Sequence, residues 1–184
     1  MAETKALVYC GGGGIGDSLM ASLVARALKQ HYAGVDALTL PGHAAALQRV
    51  PDFDNVLVDD GRPEAALADE VKQHSYDAAV VTWATPRTAR VPQLAKIPVR
   101  AGQSRRLYSF RFTHRVNVRS EDGDVTTHWS QILLDYARAI GCDTDRPFPA
   151  FVPNAGDERE AQSLLNELGV SRYAILHAAN AAAT

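Results

Sequence analysis

Short apolar runs alternate with stretches of helical period along this chain. Lys5–Cys10 (KALVYC) predicts a buried strand, followed by the glycine run Gly11–Gly14 and then Ile15-Gly16-Asp17. A helix is expected from Asp17. Leu19, Met20, Leu23, Val24, Ala27 and Leu28 form its apolar stripe, Ser18, Ser22, Arg26, Lys29 and Gln30 its polar one, and Gly34 its stop. Further strands are expected at Asp36–Leu40, Asn55–Val58, Asp77–Thr82 and Ile97–Ala101. Helices fall between them at His43–Arg49, at Pro63–His74 and at Arg87–Lys96, the last interrupted by Pro92. Strand, crossover helix and strand in repetition imply an α/β, Rossmann-like parallel sheet with flanking helices.

Leu107–Arg119 follows another rule. Tyr108, Phe110, Phe112, His114, Val116 and Val118 alternate with polar residues, which predicts an extended strand or hairpin arm outside the central sheet. Tyr108, Phe110 and Phe112 are read as core residues. Two helices are expected near the end, Thr127–Ile140 stopping at Gly141 and Asp157–Leu168 stopping at Gly169. Trp129 lies on the apolar side of the first, and Asp157 to Glu160 give the second a capping-box spacing. Tyr173–His177 predicts a last strand.

Composition narrows the function classes. The 184 residues are 46% hydrophobic and 22% charged, ordinary values for a globular protein. A formal charge of −2 gives no overall attraction to nucleic acid or anionic membrane. Two distant cysteines, Cys10 and Cys142, make neither a disulfide framework nor a metal spacing. The six histidines show no i,i+4 pair and no HExxH, so no metal site is expected. The opening residues lack a secretory pattern, and no apolar run reaches membrane-span length, so a cytoplasmic setting is expected.

Gly11, Gly13 and Gly16 fit G-x-G-x-x-G between a strand and a helix, the setting of a dinucleotide fingerprint. The acid that should hold the ribose at the end of the second strand is missing: that strand runs into Leu40-Pro41-Gly42, and Asp36 sits at its beginning. No Walker lysine follows the glycines. Asp17 has two readings. One is a helix N-cap. The other is a general base at the carboxyl end of the first strand, where open α/β sheets place their ligands, with glycines leaving room for a substrate.

Gly13-Gly14-Ile15-Gly16-Asp17 with the Leu23–Leu28 helix, then Tyr32–Gly42, Pro51–Val58, Tyr76-Asp77, the His128 helix and Ile175–Ala178, resembles the ADP-heptose:lipopolysaccharide heptosyltransferases, glycosyltransferase family 9. The resemblance runs in order through nearly the whole chain. It implies the N-terminal domain of a GT-B fold, whose first domain binds the acceptor and whose second binds the nucleotide-sugar. It implies inverting transfer of heptose from ADP-heptose to the lipopolysaccharide inner core, with no obligatory metal or other cofactor. Asp17 would be the base, with Gly13, Gly14 and Gly16 on the acceptor side. Residues 1–177 would form the acceptor-binding domain. Residues 178–184 would begin the interdomain segment, with Asn180 and Thr184 left from the nucleotide-sugar site. The chain has about half the expected two-domain length, so the fragment alone is expected to be inactive.

Arg100, Arg105, Arg106, Arg111, Arg115 and Arg119 occur with no acid among them. Guanidinium forks suit phosphates and carboxylates. The resemblance supplies such an acceptor, a lipid A–Kdo core, and Arg105, Arg106 and Arg111 are the arginines expected to bind it, with peripheral contact at the inner face of the inner membrane. Arg87 and Arg90 are read as helix-surface charges. Two other classes stay open: a non-catalytic carbohydrate- or anion-binding module, and an NAD-dependent oxidoreductase.

Overall fold

A computed structural model describes residues 4–175 of the chain. They fall into two compact units, Met1–Val152 and Pro153–Thr184, so the expected 1–177 domain spans both.

The first unit is built on β1 (Lys5–Cys10), β2 (Gly34–Thr39), β3 (Val56–Val58), β4 (Ala78–Val81), β5 (Val99–Gln103) and β6 (His114–Val116). All neighbours pair in parallel, in the order β3-β2-β1-β4-β5-β6. Alternation along β1 assigns the two faces. Ala6, Val8 and Cys10 join Leu23, Val24 and Leu28 of α2 (Ser22–Leu28) and Ile132 and Leu134 of α6 (Trp129–Arg138). Leu7 and Tyr9 join Leu67 and Val71 of α4 (Glu64–Gln73) and Ala89 and Val91 of α5 (Pro86–Leu94) on the other face. Burial on both faces is why the strands read as continuous apolar runs.

The helix expected from Asp17 is two short ones. α1 (Ile15–Met20) is capped at Gly14, and α2 follows a break at Ala21. Gly34 opens β2 rather than stopping a helix, and α3 (Pro41–Leu47) starts on the proline expected to end that strand. α5 continues through Pro92 to Leu94.

The 107–119 stretch departs most from expectation. A 3-10 turn at Ser109–Arg111 interrupts the alternation, and only His114–Val116 is strand, paired with β5 inside the main sheet. The buried Ser109 hydroxyl fastens the turn, accepting from the Arg106 N–H at 3.1 Å and donating to the Gln103 carbonyl at 2.6 Å. Gly102 makes room for the Phe112 ring, which is buried. Phe110 turns outward, 62% exposed, with the Arg111 guanidinium 4.6 Å above its ring. The expectation that Phe110 is core is therefore corrected, while Phe112 is core as expected.

In the second unit, α7 (Ala155–Leu168) is capped by Asn154, whose side chain accepts from the N–H groups of Gly156 and Asp157. The capping box thus lies three residues before its expected place, and Gly169 ends the helix in the left-handed region. Residues 173–175 form no strand, and the rest of the expected Tyr173–His177 strand lies outside the described residues.

Candidate functional site

β1 and β4 are neighbours whose crossovers run in opposite directions, which makes their carboxyl ends the switch point where open α/β sheets form a crevice. A small pocket opens there, lined by Cys10, Gly12, Asp17, Thr82, Trp83, Trp129 and Leu133. Thr82, Trp83 and Trp129 also line a neighbouring recess of about 270 Å³ that reaches Gln103 at the end of β5, Arg106 and Glu121. The two form one cleft along the ends of β1, β4 and β5, with α6 along its side.

The glycine loop sets the geometry of Asp17. Gly14 is the N-cap of α1 and Asp17 is its third residue, not the cap itself. The carboxylate reaches back, and its Oδ2 accepts from the Gly14 N–H at 2.8 Å. Oδ1 accepts no hydrogen bond from a described residue, and Asp17 is half-buried against the pocket. Gly13 has φ +70°, and a Cβ there would collide with Oδ2 of Asp17. A Cβ on Gly12 would enter the Trp83 indole, and one on Gly11 would lie 2.6 Å from the Tyr9 ring. The chain's own side chains therefore occupy the space beside these three glycines, which corrects the expectation that all the glycines open room for a substrate. Gly16, with nothing within 4 Å, does face open space.

Beneath the loop, the buried Ser18 hydroxyl donates to the Cys10 carbonyl at 3.2 Å and meets His43 Nδ1 at 2.9 Å. Burial pushes the Cys10 thiol up to about 12, which leaves it protonated at neutral pH despite its place in the pocket wall.

A second polar cluster backs the loop from the other face. The buried Tyr9 hydroxyl donates to Asp59, which also accepts from Arg87 Nε at 2.8 Å, Arg87 Nη2 at 2.5 Å and the Gly61 N–H at 3.1 Å. Burial pushes the Asp59 carboxyl up, but the hydrogen bonds from Arg87 and Tyr9 outweigh it and hold it below the ordinary carboxylate range. Arg87 is thus no free surface charge: it clamps a buried carboxylate. Asp36, the one acid near the expected ribose position, is buried against the Tyr76 hydroxyl at 2.6 Å and Asn55 Nδ2 at 2.9 Å, three residues short of the end of β2.

The arginines separate in space. Arg105 pairs with Asp122, Arg106 with Glu121 at 2.6 Å, and Arg119 with Asp135 at 2.6 Å. Arg100 is spent on the carbonyls of Arg111 and Ile97. Among the described residues, Arg111 and Arg115 have no acidic partner. Of the three arginines expected on the acceptor side, only Arg106 lines the cleft. Asn180 and Thr184 lie outside the described residues. The pattern of the sequence missed Trp83 and put Trp129 on the apolar side of its helix, and each is 42% exposed on the cleft. A tryptophan just past a buried strand's carboxyl end was the available signal for Trp83.

No protein-family model and no curated protein matches the chain. Solved structures do. A glycosyl transferase family 9 structure from Veillonella parvula superposes with a TM-score of 0.76 at 15% identity, over 91% of this chain and 51% of that one. The fold of the chain is that of about half of this family 9 structure. E. coli ADP-heptose lps heptosyltransferase II matches with a TM-score of 0.65 at 19% identity, again over 91% and 51%. E. coli heptosyltransferase WaaC, solved with ADP, gives 0.60 at 15% over 78% and 49%. At these identities the likeness is one of fold, the α/β Rossmann-like class expected from the hydrophobic pattern. The chain spans about half the length of each of these structures.

Proposed function

We propose that this chain is the acceptor-binding half of an inverting, GT-B type glycosyltransferase that moves heptose from ADP-heptose to the lipopolysaccharide inner core, with Asp17 as the base. The observation that carries the reading is the Asp17 carboxylate at the switch-point cleft, anchored by the Gly14 amide through one oxygen with the other uncommitted. Anchoring fixes the carboxylate without consuming it. The free oxygen takes the proton of an acceptor hydroxyl as that hydroxyl attacks the anomeric carbon of the donor. Attack from the face opposite the nucleoside diphosphate inverts the centre.

The donor is held by a second, nucleotide-sugar-binding domain, to which Asn180 and Thr184 contribute. The acceptor is a lipid A–Kdo type molecule. Its anionic groups meet Arg111 and Arg115, which no acid in the described residues neutralises, and its sugars enter the cleft past Gly14, Gly16 and Arg106. Arg105 acts on the acceptor side only by giving up Asp122. Among the described residues no helix is long and apolar enough to cross a membrane. Contact with the inner face of the inner membrane is peripheral, through the exposed Leu107 and Phe110 beside Arg111.

The test is calorimetric titration of the chain with Kdo-lipid A, beside a transfer assay with ADP-heptose. The expected outcome is acceptor binding with little turnover. Robust transfer by these 184 residues would overturn the division of labour, and absence of acceptor binding would overturn the assignment.

A further inference from the structure

The chain has two tryptophans, and both line the cleft, half-exposed. Large, flat, half-exposed aromatic surface is costly to leave in water. Each is held in place. The indole of Trp83 lies on Gly12, where any side chain would displace it, and its carbonyl accepts from the Thr88 hydroxyl at 2.9 Å. Trp129 is the first residue of α6, directly after the His128 cap.

The polar wall of the same recess is electrically balanced. Glu121 Oε1 accepts from Arg106 Nη2 and from Gln103 Nε2, both at 2.6 Å. Its Oε2 and the amide oxygen of Gln103 accept no hydrogen bond from a described residue. One positive and one negative group lie side by side, so a ligand here meets planar hydrogen-bonding groups without net charge.

We infer that the Trp83–Trp129 recess is a subsite for an uncharged sugar ring, whose C–H face stacks on the indoles and whose hydroxyls bind Glu121, Arg106 and Gln103. A pyranose has the matching surfaces, an apolar face and a rim of vicinal hydroxyls. The recess, about 270 Å³, falls below the roughly 300–1,000 Å³ of drug-sized sites and suits one or two rings. This deepens the transferase reading and rests on it for the identity of the larger ligand. It separates two tasks in space: anions are met at Arg111 and Arg115, and a neutral ring is met in the cleft.

Intrinsic fluorescence reads the subsite directly, since both emitters are in it. The 184-residue chain is titrated with methyl glycosides of a neutral heptose and of glucose, and with glucuronic acid as the anionic probe. The neutral glycosides should shift and quench the emission, with an affinity that salt leaves unchanged, and glucuronic acid should bind no better. Trp83→Phe and Trp129→Phe, checked for native circular dichroism, should each weaken neutral-sugar binding at least about threefold, and Trp83→Leu about tenfold. Glu121→Gln frees the charge of Arg106 and should raise glucuronic acid affinity about tenfold, in a salt-sensitive way. Neutral-glycoside binding without calorimetric binding of Kdo-lipid A would fail the transferase reading alone, and Kdo-lipid A binding without any neutral-glycoside response would fail the subsite alone. No emission change with either neutral glycoside, or a wild-type preference for glucuronic acid that salt abolishes, would overturn the subsite.

Discussion

The loop between β1 and α1 and the arginine stretch from Arg100 to Arg119 are both rich in candidate chemistry, and they are organised at different ranges. In the loop, the partners that fix Asp17 lie within four residues: the Gly14 amide holds the carboxylate, and Gly13 adopts the left-handed φ that lets it stand there. In the arginine stretch Arg105, Arg106 and Arg119 answer to residues beyond it, Asp122, Glu121 and Asp135. Half of a run of like charges in sequence became neutral pairs in space. A functional carboxylate held by its own turn can be read from neighbours. A charged patch cannot be read until the chain has folded the opposite charges onto it.

The largest effect expected is at Asp17. In a transferase that carries this half, Asp17→Asn should lower kcat about 10²–10⁴-fold with acceptor affinity unchanged. Asparagine keeps an oxygen for the Gly14 amide, so the urea midpoint should barely move. A retained rate would reduce the loop to a helix cap.

The next largest concerns what lies under the loop. Arg87→Ala leaves the Asp59 carboxylate buried beside Tyr9 with its cation gone, and should cost about 3–5 kcal/mol in denaturant unfolding. The pH dependence follows in sign. Asp59 has its folded value depressed below the ordinary carboxylate pKa of about 3.9, so its stabilising contribution is complete above that value. The contribution is lost as pH falls through the depressed value. Acid unfolding followed by circular dichroism should therefore begin at higher pH in Arg87→Ala than in the wild type.

These outcomes bear on what the sequence disclosed. The parallel α/β fold was legible because strands buried on both faces are continuous apolar runs, as in Leu7–Tyr9 and Ala78–Val81, and because glycine and proline mark their ends. The strand expected over 107–119 failed because periodicity carries no information about Gly102, which draws Phe112 inward, or about Ser109, which closes a turn on Gln103. The Asp59–Arg87 clamp joins residues 28 apart in sequence, and no local pattern announces it. Trp83 went unnoticed and Trp129 was read only as part of a helix's apolar side, because aromatic character alone does not say which side of a strand end or helix start is open.

Smaller effects sharpen the contrast among the glycines. Gly12→Ala drives a methyl group into Trp83 and should cost about 1–3 kcal/mol in urea unfolding. Gly16→Ala, in a helix with nothing within 4 Å, should stabilise by roughly 0.4–1 kcal/mol. Equal effects at the two positions would show that the loop is not shaped by the side chains packed on it. The smallest change is expected at Arg105, an exposed partner of Asp122: Arg105→Ala should leave the unfolding midpoint unaltered within error.

The measurement that reaches the centre of this account is a crystal structure of the chain with a Kdo-terminated acceptor fragment. One acceptor hydroxyl is expected within about 2.6–3.2 Å of the uncommitted Asp17 oxygen, with Oδ2 still on the Gly14 amide. An acceptor seated away from the ends of β1 and β4, its hydroxyls out of reach of that carboxylate, would contradict it.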